Sequence, residues 1–213
     1  MGLMDKITNF SKDVVSDTLN LSDLCKVVPP SKYAEAMCDD LALNDERIFI
    51  LLKSKTEEFC FTETSLIHAS KNAAVERRIE IKRYNYTNTI ITNVQLVTAA
   101  RIDLSVELEF KLNDVKKVIA IDRRYTEILK SIYKVLVEIE ITQGRAVDDF
   151  KNIKTSLEYA SQSMGKLVNN SADSLMSIYR KIYEFNSSTL LTEYDHYLGY
   201  DYSELFERYL TNN

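Results

Sequence analysis

The side chains through which this 213-residue chain could do chemistry are two histidines, three cysteines, a row of carboxylates and two basic clusters. His68 lies in an alternating stretch and His196 in a tyrosine-rich tail. Neither has a second His or Cys at ligand spacing, so no metal centre is expected. Cys25, Cys38 and Cys60 are odd in number and lack metal-ligand spacing, and they read as buried, reduced thiols. Asp103, Glu107 and Glu109 share one face of a period-two stretch. With no pocket signal around them they read as a wet strand face rather than an acid–base pair. Gly2, Gly144, Gly165 and Gly199 are too scattered for a phosphate-cradling loop, and no GxSxG, HExxH, CxxC or Walker pattern occurs. The reading is of a protein that is not an enzyme, with no catalytic residue and no cofactor.

The basic clusters suit binding better than catalysis. Lys53 and Lys55 border a polar turn beside Glu57 and Glu58 and are a candidate anion contact, although strong phosphate sites converge more donors than two. Arg77, Arg78, Lys82 and Arg83 are interleaved with Glu76 and Glu80 and followed by Tyr84 and Tyr86. Arg77, Arg78, Lys82, Arg83, Tyr84 and Tyr86 form a candidate partner-binding surface, the plainer alternative being a solvated strand face.

The elements that must carry these residues follow from periodicity. Leu3, Ile7, Phe10 and Val14 recur at helical spacing and predict an amphipathic helix over 1–19, docked on a core or partner rather than a membrane. Pro29-Pro30 then breaks the pattern. Seven strands are expected at 46–53, 57–62, 65–70, 77–83, 89–97, 101–112 and 115–121. The clearest holds Ile102, Leu104, Val106, Leu108, Phe110 and Leu112 on one face, a pattern of antiparallel sheet with one wet side. The period then changes to 3.6 over 123–141, with Tyr125, Ile128, Leu129, Ile132, Tyr133 and Leu136 on one stripe. Asp122 is the expected N-cap and Gly144 the expected stop.

Beyond Gly144 the apolar repeat shortens to 3.5 residues: Ala146, Phe150, Ile153, Leu157, Ala160, Met164 and Leu167. After Asn169-Asn170-Ser171 a second stripe runs Leu175, Ile178, Ile182 and Phe185. Two stripes around a polar break describe a helical hairpin too small to bury its own apolar surface. Phe150, Ile153, Leu157, Met164, Leu167, Leu175, Ile178, Ile182 and Phe185 are therefore the expected oligomerisation seam. Tyr194, Tyr197, Tyr200, Tyr202 and Tyr209 crowd the tail, where intersubunit and intramolecular packing are equally open. The expected organisation is a helical extension over 1–40, a β domain over 41–143, and a hairpin with its tail over 144–213.

Composition narrows the partners. Hydrophobic residues at 45% are enough for a packed core. A net charge of −5 disfavours nucleic acid and gives no general attraction to an anionic membrane. No apolar run approaches the ~20 residues of a membrane span, and charges interrupt the first thirty residues where a signal peptide would have its apolar core. A cytoplasmic location is expected.

Several separated segments resemble one family. They are Ile50 to Thr62, Leu66-Ile67-His68, Lys82-Arg83-Tyr84-Asn85-Tyr86 and Thr98 to Phe110, preceded by Leu19-Asn20-Leu21-Ser22-Asp23-Leu24. Together they resemble the bacterial pleckstrin-homology-like domains, in the branch with a YvbH-like oligomerisation region, over roughly 20–190. The resemblance implies an α+β fold: a PH-like barrel of about seven antiparallel strands capped by a helix. It also implies ring-shaped homo-oligomers of cyclic symmetry, with an unidentified protein as partner. It places Lys53 and Lys55 in the turn where lipid-binding PH domains carry basic residues, making them a candidate lipid contact. One departure is Ala99-Ala100, where the family usually has Ala-Gly; a Cβ there restricts φ > 0. The expected function is a ring-forming scaffold presenting a repeated protein-binding surface, with a peripheral anionic-lipid module as the alternative.

Overall fold

The computed structural model describes residues 24–43, 46–71, 79–98, 105–164, 172–198 and 200–210. The helix expected over 1–19, the Ala99-Ala100 turn and the Asn169-Asn170-Ser171 break lie outside these residues. The chain divides into two compact units, one of residues 1–140 with 201–213, the other of residues 141–200.

The first unit contains two antiparallel sheets. One has five strands in sequential order: β1 (Lys26–Val27), β2 (Ile48–Lys53), β3 (Glu57–Thr62), β4 (Ser65–Lys71) and β5 (Ile79–Asn85). The other has β6 (Ile91–Thr98), β7 (Ser105–Leu112) and β8 (Val115–Asp122), also in sequential order. Each expected strand is present, and the two-residue β1 is an addition. Alternation in β7 is strict: Val106, Leu108, Phe110 and Leu112 are buried, and the residues between them are half-exposed. The Asn113-Asp114 turn holds Asn113 at φ 53°, a left-handed conformation that asparagine tolerates better than most residues.

Strands β2 to β4 do not alternate, and the reason lies upstream. Leu51, Cys60, Ile67 and Ala69 share the outer face of the five-stranded sheet and pack against Ala36 and Cys38, with Val28, Tyr33 and Met37 at the margin. Pro29 and Pro30 therefore introduce a cover rather than a free linker. Pro30 opens a 3₁₀ helix, Pro30–Glu35, at a position where a missing N–H costs nothing. Cys25 ties the cover to β8, its N–H donating to the Ala120 carbonyl at 2.8 Å. The opposite face carries Ile50, Leu52, Phe59, Phe61 and Leu66, all fully buried.

Helix α1 runs Thr126–Met164. Its start matches expectation, because the Asp122 carboxylate accepts from the Arg124 N–H in the 3₁₀ turn Arg123–Tyr125 that precedes it. Its apolar stripe, from Tyr125 through Leu136 and on to Ile139, is buried apart from half-exposed Tyr133. The expected stop at Gly144 is corrected: the helix continues through it. A glycine inside a helix costs about 1 kcal/mol, but it ends one only where the backbone turns left-handed, and no glycine in the described structure has positive φ.

Helix α3 (Ser203–Leu210) belongs to the first unit, not with the hairpin as the expected 144–213 grouping had it. Asp201 caps it by accepting from the Ser203 N–H at 2.8 Å. Tyr202, Leu205, Phe206 and Leu210 are buried. Phe206 stacks on Phe49 with ring centroids 4.8 Å apart, and Tyr202 meets Tyr86 edge-on at 5.5 Å. The second unit consists of the rest of α1 and helix α2 (Ala172–Leu198).

Candidate functional site

The helical unit leaves its expected seam largely uncovered. Phe150, Ile153, Leu157 and Ile182 are half-buried, and Ile178 and Phe185 are exposed, Phe185 to 70%. Met164 and Leu175 lie on helices whose side chains there are outside the description, and Leu167 is outside it altogether. Among the described side chains of residues 141–200, Gln143 and Asn186 are buried and no apolar one is. Leu157, Glu158 and Ser161 of α1 and Tyr179, Ile182 and Tyr183 of α2 enclose an open cavity of about 240 Å³, which sets the two helices side by side. Tyr179 and Tyr183 stack one turn apart at 6.3 Å on α2, a flat aromatic face turned to water.

The candidate surface on β5 is broken up by the fold. Arg77 and Arg78 lie outside the described residues. Lys82 is exposed and pairs with Glu80 at 2.7 Å. Arg83 is drawn inward: its guanidinium grips both oxygens of Glu46 at 2.6 and 2.8 Å. Thr62, Thr64 and Ser65 also donate to that carboxylate, and so does the Leu43 N–H, at 2.9 Å. Burial alone would raise the Glu46 carboxyl, but these donors outweigh it and hold it at about 2. Tyr86 is buried against Tyr202 and Phe206 and cannot be a contact residue for another protein. Tyr84 is half-buried, with the Lys117 ammonium 5.4 Å from its ring centroid. Of the six residues expected to form the patch, Lys82 and part of Tyr84 remain at the surface as described.

Lys53 and Lys55 also separate. Lys55 is exposed at the tip of the β2–β3 turn, which Ser54 closes by accepting the Thr56 and Glu57 N–H groups at 3.2 and 3.0 Å. Lys53 is committed to Glu58 at 2.6 Å. The Glu58 carboxylate is fully buried; its Oε1 takes no well-angled hydrogen bond, so the Lys53 charge is what compensates it.

His68 occupies a junction between the sheets that periodicity did not reveal. It is 7% exposed, stacks on Phe59 at 4.4 Å, and its Nδ1 accepts from the Lys117 Nζ of β8 at 3.0 Å. Its Nε2 faces the Glu57 carboxylate at 3.3 Å. Burial, followed by the charges of Lys117 and Lys82, lowers its pKa to about 4, while Glu80 opposes them; the ring is neutral at pH 7. Burial raises Glu57 in turn. Among the described residues, no three His, Cys, Asp or Glu side chains converge as a ligand set. Burial likewise pushes the Cys25 and Cys38 thiols up to about 12, so both are protonated at pH 7. Among the described residues, no helix is long and apolar enough to cross a membrane.

Comparison with known proteins agrees with the two-sheet architecture. The chain is similar to the uncharacterized protein YvbH of Bacillus subtilis, 32% identical over 209 residues that cover 94% of this chain and 99% of that one. Its structure is similar to the crystal structure of a PH-domain-containing bacterial protein from Exiguobacterium sibiricum. The TM-score is 0.73 at 26% identity, covering 88% of this chain and all of the other. Residues 18–140 match the model of the bacterial PH domain. With the PH-like fold on the page and that match spanning more than half its length, the chain belongs to the bacterial PH domain family.

Proposed function

We propose that this protein is a non-enzymatic scaffold that self-associates through its helical hairpin into a closed ring and presents a repeated protein-binding surface. The PH-like unit is the interaction module. PH-like folds serve protein and lipid recognition, and nothing catalytic gathers among the described side chains.

The observation that supports self-association is the hairpin's lack of a core. Tyr159, Met176, Tyr183 and Phe185 are each more than half exposed, and no described apolar side chain of residues 141–200 is buried. An aromatic and aliphatic surface of that kind is stabilised by covering it, and a second copy offers the matching face. The 3.5-residue repeat from Ala146 to Leu167 suits helix-on-helix packing between copies. In a ring, weak contacts to one partner add up through avidity.

Light-scattering mass after size exclusion tests the reading on the full chain at tens of micromolar. A closed oligomer is expected, and Tyr183→Glu with Phe185→Glu is expected to reduce it to single chains of unchanged circular dichroism. A wild-type chain that runs as a monomer would sink the proposal.

A further inference from the structure

The first unit contains a groove whose charge is opposite in sign to that of the chain. The groove measures about 310 Å³ and lies between β1, the 3₁₀ helix Pro30–Glu35 and β2. Its walls are apolar, contributed by Val27, Val28, Pro29, Ala36 and Leu51. Its polar lining is Lys26, Lys32 and Lys53 with Glu35 as the one carboxylate, in a protein of net charge −5.

Two features make this a built site rather than a chance gathering of surface lysines. Lys26 stands directly across the β1–β2 ladder from Lys53. That register puts both side chains on one face of the ladder, and the Glu58 carboxylate beside Lys53 limits the repulsion between them. Lys53 is also fixed. The buried Glu58 carboxylate holds its ammonium at 2.6 Å and receives the Cys38 N–H at 3.3 Å on its other oxygen, and releasing Lys53 would strand a buried charge. Lys26 and Lys32 form no ion pair among the described residues. Lys26 lies near enough to Asp122 to help lower its carboxyl, yet Asp122 is already held by Arg124 at 2.7 Å.

From this geometry we infer that the groove binds a small amphiphilic anion: a carboxylate or phosphate group on a short alkyl body. Lys26 and Lys32 meet the anion, and the alkyl body lies on the half-buried Val28 and Pro29. The volume is at the small end of ligand pockets, so one short chain fits and a bulky headgroup does not. The site lies entirely within the first unit and is independent of the scaffold reading.

Calorimetric titration of the full chain with octyl phosphate, inorganic phosphate and octanol tests the assignment. Octyl phosphate is expected to bind at least tenfold more tightly than either half-probe. The double variant Lys26→Gln with Lys32→Gln is expected to lose about tenfold while keeping its circular dichroism, since both side chains are exposed. Equal affinity for inorganic and octyl phosphate, or an unchanged double variant, would overturn the proposal. Co-sedimentation with vesicles containing phosphatidic acid then separates the sources of the anion. Vesicle binding that the double variant loses assigns it to a lipid surface. Octyl phosphate binding without vesicle binding assigns it to a free amphiphile, and failure of both arms removes the site.

Discussion

The two units spend their apolar residues in opposite ways. In the first, strands β2 to β4 are buried on both faces: Phe59 and Phe61 point inward, and Leu51 and Cys60 point outward under the cover made by residues 24–43. In the second, the two helices display tyrosine, methionine and phenylalanine to water. Neither pattern is an imperfect version of the other. A residue packs as core when its own unit closes over it, and stays exposed when its unit is too thin to close.

Substitutions can break this contrast. Phe206→Ala empties a site between Phe49 and Tyr86 and is expected to cost about 3–5 kcal/mol in urea denaturation. A loss below about 1 kcal/mol would mean that α3 does not complete the core. The His68 junction sharpens the same point through pH. The ring's folded pKa of about 4 lies below its ordinary 6.5, so the unfolded chain takes up the proton first. Stability is then fully present above pH 6.5 and falls as pH drops towards 4, by up to about 3 kcal/mol. His68→Gln should flatten that limb of the stability curve, and a slope unchanged in the variant would assign the proton to another group.

The hairpin should respond far more weakly. A Cβ built on Gly144 meets nothing within 4 Å, so Gly144→Ala is expected to stabilise by about 1 kcal/mol. A destabilised variant would show that the glycine is needed where α1 passes it. Phe185→Ser should shift unfolding of the dilute single chain by less than about 0.5 kcal/mol while weakening association in the concentrated sample. A large loss in the dilute chain would reclassify Phe185 as core.

Much of the fold was legible in the sequence because period two survives wherever one face of a strand is wet, as in β7. The cap at Asp122 was legible for a similar reason: a short polar side chain at an element boundary has few other roles. What stayed hidden depended on distant chain. The uniform burial of β3 follows from the cover around Ala36 and Cys38, which in sequence showed only as two prolines. Arg83 read as a surface cation because its partner Glu46 is 37 residues away. Tyr86 read as a contact residue because Tyr202 and Phe206 lie beyond the hairpin. The spacing of Tyr202, Leu205, Phe206 and Leu210 does carry a helical signal, but one too short to stand apart from its tyrosine-rich surroundings. The groove combines both difficulties, since Lys26 and Lys53 become neighbours only through a two-residue strand.

The return of α3 to the sheets also sets an order of events during synthesis. The strands and the first part of α1 are translated well before Tyr202 and Phe206, so the aromatic cluster around Phe49 and Tyr86 stays incomplete while the hairpin is being made. A nascent chain that has just finished its hairpin exposes two sticky surfaces at once, the unfilled site on the β unit and the helices themselves. Under the self-association proposed above, neighbouring chains on one polysome would be the nearest copies able to cover those surfaces.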